Sequence, residues 1–396
     1  MSGYERERRP GEAFSPPWRL VCGWLTLFVV GTDLFIISPL LPRIASEFDQ
    51  SATAAGLSVT VFSLAYLLIA PLIGQLADRI GRRRVLIGCL LSFAAANLLT
   101  GIATGFGWLL AARVAAGAAA AGVSPLVYAG VGEAAPLARR ATWMAIAVSG
   151  LLLALSVGAP AGTLIAFYWG WRAPFLLITL LSLALVAGSM VVWPADPRSS
   201  GNAAASLPAL DPAAIAMRLL PTVLWATALY AAYTYLGVWL TGGGSSFAQI
   251  ARTIACYGVG ALAGTLLGGQ AADRFGTRKT VLTSLAGLAA CLSVLGAGVG
   301  PGWTADGTLL LTSAFAQLFF PAQQLALSEL FPQRRALMLA LNNSALFLGI
   351  SIGSVIGGAA MAWAGFRADA AMGALIACSA LMLVAIGDRS QRLIKA

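Results

Sequence analysis

Residues 74–84 read GQLADRIGRRR, and residues 269–279 read GQAADRFGTRK. The two stretches share seven of eleven residues at an offset of 195 positions. The first holds five charges, in a chain that is only 10% charged. Two further blocks repeat in the same order. PLVYAGVGEAAPLARR (125–140) parallels PAQQLALSELFPQRR (321–335), and GAPAGTLIAFYWGWR (158–172) parallels GSVIGGAAMAWAGFR (353–367). Three ordered matches imply a tandem duplication, so the charged loop is doubled because the fold is doubled.

The rest of the chain says what kind of fold. It has 396 residues, is 59% hydrophobic and has a mean hydropathy of +0.84. A soluble domain averages about 45–50% apolar and about 25% charged residues, so this chain has too little polar surface for water. Apolar runs recur at 19–42, 53–75, 85–104, 108–131, 142–166, 173–193, 219–240, 248–270, 280–299, 308–328, 337–362 and 369–386. Each is long enough to cross a hydrocarbon core of about 30 Å as a helix. Backbone groups in lipid must be satisfied internally, and the runs lack the polar–apolar alternation of barrel strands. The expectation is an all-α polytopic membrane protein of 12 transmembrane helices in two pseudo-symmetric six-helix bundles. Parallel repeats of this kind are related by an axis along the membrane normal. The longest polar break, PADPRSSGNAAASLPALDPAAIAM (194–217), divides the spans six and six. The organisation read from it is a tail at 1–18, a bundle at 19–193, a linker at 194–218, a bundle at 219–386 and a tail at 387–396.

Of the 25 lysines and arginines, 20 fall in the tails and in alternate connecting segments. The positive-inside rule then places both termini in the cytoplasm, and the net charge of +10 faces anionic lipid rather than nucleic acid. The expected location is a bacterial cytoplasmic (inner) membrane. There is no histidine, and the five cysteines (Cys22, Cys89, Cys256, Cys291, Cys378) lie singly in apolar segments, so no metal site is expected. No P-loop or G-x-S-x-G nucleophile is present. The chain is read as a non-enzyme with no cofactor beyond a proton gradient.

Two charged residues stand out inside the spans. Asp33 is the one carboxylate placed well away from a span end, and Arg113 is the one arginine well inside a span. A charge at mid-membrane costs at least about 2.5–3.5 kcal/mol, so such residues face cavities or partners and mark transport or proton paths. A carboxyl group whose hydration changes between conformations can exchange a proton. The competing reading of Asp33 is a carboxylate bonded to a neighbouring hydroxyl or arginine, and that of Arg113 is a side chain snorkelling to the interface.

The loop resembles the helix 2–3 signature of the major facilitator superfamily, G-x-L-A-D-R-x-G-R-K/R-x, with Gly74, Leu76, Ala77, Asp78, Arg79, Gly81, Arg82 and Arg83 matching. In RVAAGAAAA of helix 4, Arg113 and Gly117 fit the family's R-x-x-Q-G pattern, with Ala116 in place of the glutamine. In helix 5, Gly150, Gly158, Pro160 and Gly162 resemble the glycine–proline motif of proton-coupled antiporters. Together with GTDLFIISPLLP in helix 1 and YAAYTYL in helix 7, they look like the drug–proton antiporter branch that contains sugar, nucleoside and chloramphenicol exporters.

The resemblance implies a proton-coupled secondary transporter that exports a small organic solute by alternating access and works as a monomer. A symporter or uniporter importing such a solute is the alternative, and a membrane sensor is a remoter one. The resemblance also implies that helices 1, 4, 7 and 10 line a central cavity, so that Asp33 and Arg113 adjoin it. Stripes at helical spacing then offer Ser124 and Tyr128 on helix 4, Tyr230, Tyr233 and Thr234 on helix 7, and Gln317 and Gln324 on helix 10, with Asn342 and Asn343 on helix 11. Such a wall suits a neutral or weakly charged amphipathic molecule. Hydrogen bonds between helices are the alternative use of these polar groups. The resemblance further implies a conformational gate in the two loops: Gly74, Asp78, Arg79, Gly81, Arg82 and Arg83, and Gly269, Asp273, Arg274 and Gly276. Asp78 would cap helix 11 across the bundle interface, and Asp273 would do the same at helix 5. Pro160 and the glycines of helix 5 would form a kinked seam between the bundles.

Overall fold

The computed structural model describes residues 17–136, 139–194 and 211–395. Most of the tail at 1–18, the linker residues 195–210 and Ala396 lie outside the described residues, as do Arg6, Arg8, Arg9 and Arg198, which contributed to the charge asymmetry.

The first half holds α1 (Trp18–Glu47), α2 (Ala52–Ile80), α3 (Arg82–Gly101) and α4 (Phe106–Ala134). α5 runs as Arg140–Leu153, a π-helical turn Ala154–Gly158, and Ala159–Trp169, and α6 is Ala173–Val192. The second half begins with α7, in two pieces (Pro212–Thr234 and Leu236–Gly242), then α8 (Phe247–Phe275) and α9 (Thr277–Gly296). α10 is also in two pieces, Trp303–Gln317 and Phe319–Leu330. The run Arg335–Lys395 bends at Ala364 and Gly365, which separates α11 (335–363) from α12 (366–395). Ten helices among the described residues are long and apolar enough to cross a membrane. The break in α10 leaves both of its pieces too short to count alone, and the last stretch contains two spans, which accounts for twelve helices. α1, at 30 residues, is about 45 Å long at 1.5 Å per residue, more than the hydrocarbon core requires.

The duplication extends to helix ends. Ser51 caps α2, its side chain accepting from the Ala54 N–H at 3.1 Å, and Ser246 opens α8 with a reciprocal Ser246–Gln249 capping box. These serines are 195 positions apart. Gly81 and Gly276, at the same offset, turn the chain after α2 and α8 with φ of 97° and 88°, a region that disfavours side chains with a Cβ.

Within the first half α1 packs on α4, α5 and α6, and α3 packs on α4 and α6. Within the second, α7 packs on the α11–α12 stretch, and α10 on α8 and α9. The halves meet along α2 against α11, α5 against α8, and α1 against α7. The cross-bundle hydrogen bonds and ring contacts cluster at the end opposite the two charged loops. There Thr53 donates to the Gly358 carbonyl at 2.9 Å, Thr60 bonds Ser354, and Ser38 donates to the Tyr233 carbonyl. Arg43 lies 4.1 Å over the Phe247 ring, which Phe167 also meets at 5.1 Å. At the loop end Gly74, Asp78, Arg79, Asp273 and Arg274 are exposed. These bonds seal the end opposite the loops, and no hydrogen bond between described residues joins the halves at the loops themselves.

The glycine row of α5 differs from its expected place. A Cβ at Gly150, Gly158 or Gly162 would run into Trp24, Thr32 or Ile36 of α1, so the row brings α5 against α1 inside its own bundle. The seam toward the other bundle is made by the opposite face, where Leu155 and Ser156 lie against Gly258 of α8. Pro160 has no N–H for the preceding turn, and the π-helical turn at 154–158 takes up the mismatch that was expected as a kink.

Candidate functional site

α1 and α4 pack together, which sets Asp33 at the middle of α1 beside Arg113 in the first third of α4. Arg113 Nη1 donates to Asp33 Oδ1 at 2.7 Å, and the two side chains are 0% and 1% exposed. The Arg113 guanidinium also lies 4.6 Å over the Phe62 ring of α2. Gly117, one turn beyond Arg113, lets α2 come this close, because a Cβ there would overlap the Phe62 backbone. Asp33 Oδ2 and Arg113 Nε have no hydrogen-bond partner among the described residues. Arg113 therefore does not snorkel, and the two charges form a buried pair with one carboxylate oxygen uncommitted. Breaking such a pair from one side leaves a bare buried charge, which typically costs about 3–5 kcal/mol.

The polar residues of the expected cavity wall separate into three groups. Ser124 and Tyr128 of α4 lie beside Tyr66 of α2, whose hydroxyl accepts from Asn343 Nδ2 of α11 at 3.3 Å. Tyr66 stacks on Phe347 with ring centroids 3.6 Å apart, so this group bridges the bundles. The second group is on α7. Tyr233 donates to the Phe35 carbonyl at 3.0 Å and meets Tyr230 and Tyr257 at 6.0 and 5.0 Å, joining α1, α7 and α8. Thr234 instead spends its hydroxyl on the Tyr230 carbonyl at 2.6 Å, within its own helix. The third is on α10, where Gln317 and Gln324 flank the break at Leu318 and are both partly exposed. Asn342 is apart from all three: fully buried, it accepts from Thr222 of α7 at 2.7 Å inside the second bundle.

At the loop end the latch is not made. Asp78 and Asp273 are exposed and neither pairs with a cation among the described residues. Arg82 pairs with Glu133 of α4, and Arg83 donates to the Met190 carbonyl of α6, so both brace the loop within the first bundle.

The sequence reading passed over several residues of this region. Tyr66 and Phe62 lie in apolar stretches of α2 with no motif to mark them. Tyr235 sits at the break between the two pieces of α7 and donates to the Ser354 carbonyl at 2.9 Å. A run of three tyrosines in YAAYTY was the available signal, and only the first two were used.

Comparison with known proteins agrees with this architecture. The sequence profile of the Major Facilitator Superfamily matches residues 23–250 and 243–393. The chain is 28% identical over 347 residues to the MFS-type transporter YceJ of Bacillus subtilis, covering 85% of this chain and 88% of that one. It is 29% identical over 377 residues to the inner membrane transport protein YdhP of Escherichia coli (92% and 94% covered). It is 30% identical over 254 residues to a chloramphenicol resistance protein of Streptomyces lividans (62% and 64% covered). The solved structure of a bacterial homolog of the human lysosomal transporter Spinster, inward-facing and unoccupied, superposes with a TM-score of 0.72 at 17% identity, covering 95% of each chain. The repeat, the twelve helices and the matched profile identify this chain as a member of the major facilitator superfamily, a multi-pass membrane transporter of a small solute.

Proposed function

We propose that this transporter exports a small organic solute in exchange for protons, in a bacterial inner membrane with both termini in the cytoplasm. The observation that carries the reading is the buried Asp33–Arg113 pair. A proton taken up at the uncommitted Oδ2 removes the charge that holds Arg113, and its loss restores the pair. Proton binding on the side opposite the loops and release on the loop side would drive the bundles between their two arrangements. The membrane potential adds about 2.3 kcal/mol per charge per 100 mV to this drive.

The loop end is read as cytoplasmic, and the exposed Asp78 and Asp273, unpaired among the described residues, together with the cross-bundle bonds at the other end support reading the present arrangement as inward-open. The positive-inside distribution of arginine supports that orientation, and so does similarity to an inner membrane transport protein. Similarity to a chloramphenicol resistance protein supports outward movement of a drug-like molecule. Tyr128, Ser124, Tyr230, Tyr233, Gln317, Gln324 and Asn343 would offer aromatic faces and hydrogen bonds with no net charge, which suits a neutral or weakly charged amphipathic solute. Asp78 and Asp273 would close the loop end in the opposite arrangement.

Purified protein in proteoliposomes tests the coupling. An imposed pH gradient should drive accumulation of solute by the wild-type chain and not by Asp33→Asn, with both variants inserted equally. Unchanged gradient-driven transport by Asp33→Asn would overturn the proposal. The solute itself comes from a growth screen of expressing and deleted strains across antibiotics, sugars and nucleosides.

A further inference from the structure

A second carboxyl group is buried in the other bundle, away from the Asp33 pair. Asp369, at the start of α12, is 0% exposed, and neither of its carboxylate oxygens has a hydrogen-bond partner among the described residues. It lies at the sealed end, among α7, α9, α11 and α12. An unpaired buried carboxylate is costly, and a site of this kind favours the neutral acid.

α11 stands between Asp369 and the seam with α2. A Cβ at Gly357 of α11 would meet Asp369 Oδ1 at 2.9 Å, so on that side the carboxyl lies directly against the α11 backbone. The next residue, Gly358, receives the Thr53 hydroxyl from α2 and lies against the Tyr235 hydroxyl. Tyr235 in turn fills the space beside Gly56 of α2. Parting of α2 from α11 would uncover Gly358 and Tyr235, and Tyr235 is the side chain that stands between this seam and Asp369.

We propose that Asp369 is a proton-binding site that holds the sealed end shut: it carries a proton while α2 and α11 are together and loses it to water when they part. Of the titratable and charged groups on the helices around it, Tyr235 of α7 faces it. Tyr230 and Tyr233 of α7 face each other, Cys291 of α9 faces Thr312 of α10, and α11 contributes no charged group between 343 and 363. Arg367, on its own helix, lies with its guanidinium against Gly298 and forms no pair with Asp369. Because the sealed form binds the proton and the parted form does not, rising pH favours parting. This site sets the balance between arrangements and is distinct from the coupling proposed at Asp33.

The test is electron paramagnetic resonance distance measurement in nanodiscs, on the full chain with its five cysteines replaced and spin labels at Gln50→Cys and Ala362→Cys, both exposed at this end. In the otherwise wild-type chain the ratio of parted to sealed forms should rise with pH, by up to about tenfold per unit, the limit for one linked proton. Asp369→Asn, a neutral residue of the same size, should stay sealed at every pH. Asp33→Asn should keep the pH response even though it loses coupled transport. Absence of a pH response in the wild-type background, a wild-type response in Asp369→Asn, or loss of the response in Asp33→Asn would each overturn the proposal. The first and third readings decide even if Asp369→Asn does not fold.

Discussion

In the first bundle α5 lays Gly150, Gly158 and Gly162 against α1; in the second, α11 lays Gly349, Gly353 and Gly357 against α7. Two positions of each seam coincide at the 195-residue offset, Gly158 with Gly353 and Gly162 with Gly357, and so do the serine caps of α2 and α8 and the turns at Gly81 and Gly276. The middles of the bundles are not copies. Where α1 carries Asp33, the position 195 residues later in α7 is Ala228, and α10 has no lysine or arginine between Trp303 and Leu330. The second bundle is filled there by Trp225, stacked on Phe319 at 4.9 Å and donating to the Ala316 carbonyl at 2.8 Å. Duplication supplied the scaffold, whose close helix contacts leave little room to vary. Divergence placed a buried ion pair in one half and an aromatic plug in the other.

The largest effect expected from this asymmetry is on transport. Asp33→Asn should reduce gradient-driven flux to the uncoupled level, whereas Ala228→Ser, at the matching place in the second bundle, should leave it within about twofold, a difference of no more than about 0.5 kcal/mol. Comparable losses in the two would erase the functional difference between the bundles. Next is stability. Arg113→Ala leaves Asp33 charged and alone, which should cost about 3–5 kcal/mol, and adding Asp33→Asn should recover part of that loss. Thermal melting of the single and double variants in detergent reads it, and strict additivity would mean that the pair is not energetically coupled.

Smaller effects test the shared part of the comparison. Gly150→Ala and Gly353→Ala each press a methyl group onto backbone of the neighbouring helix. Both should destabilise by about 1–3 kcal/mol, and to similar extents if the seams are equivalent. A large disparity in melting would separate them. Smallest of all is the Arg82–Glu133 pair at the loop end, where both side chains are about half exposed. Glu133→Gln should change melting by less than about 1 kcal/mol, an effect that fades with added salt.

Much of the architecture was legible in the sequence because it depends on local quantities. Span lengths follow from apolar runs, and the 195-residue offset is visible in residues alone. Asp33 and Arg113 were legible as singular charges for the same reason. Their pairing was not, since the alternatives of a hydroxyl partner or snorkelling depend on how α1 and α4 are rotated. The glycines of α5 were recognised, yet the face they present required the neighbouring helix. Asn342 and Asn343 are adjacent in sequence and point to different places, one into the second bundle toward Thr222 and one across to Tyr66. A helix advances by about 100° per residue, so neighbours in sequence meet different partners.

The sequence by itself determined a doubled, twelve-helix membrane protein with a signature loop in each half, because hydrophobic length and repetition are carried by the residues without reference to their partners. Only the tertiary structure decided that Asp33 and Arg113 form a pair, that the bonds between the bundles gather at the end opposite the loops, and that Asp369 is buried without a hydrogen-bond partner among the described residues. Those facts depend on contacts between residues far apart in the chain. A repeated motif present in both halves cannot express such contacts, because they are set by how the helices are rotated and packed against one another.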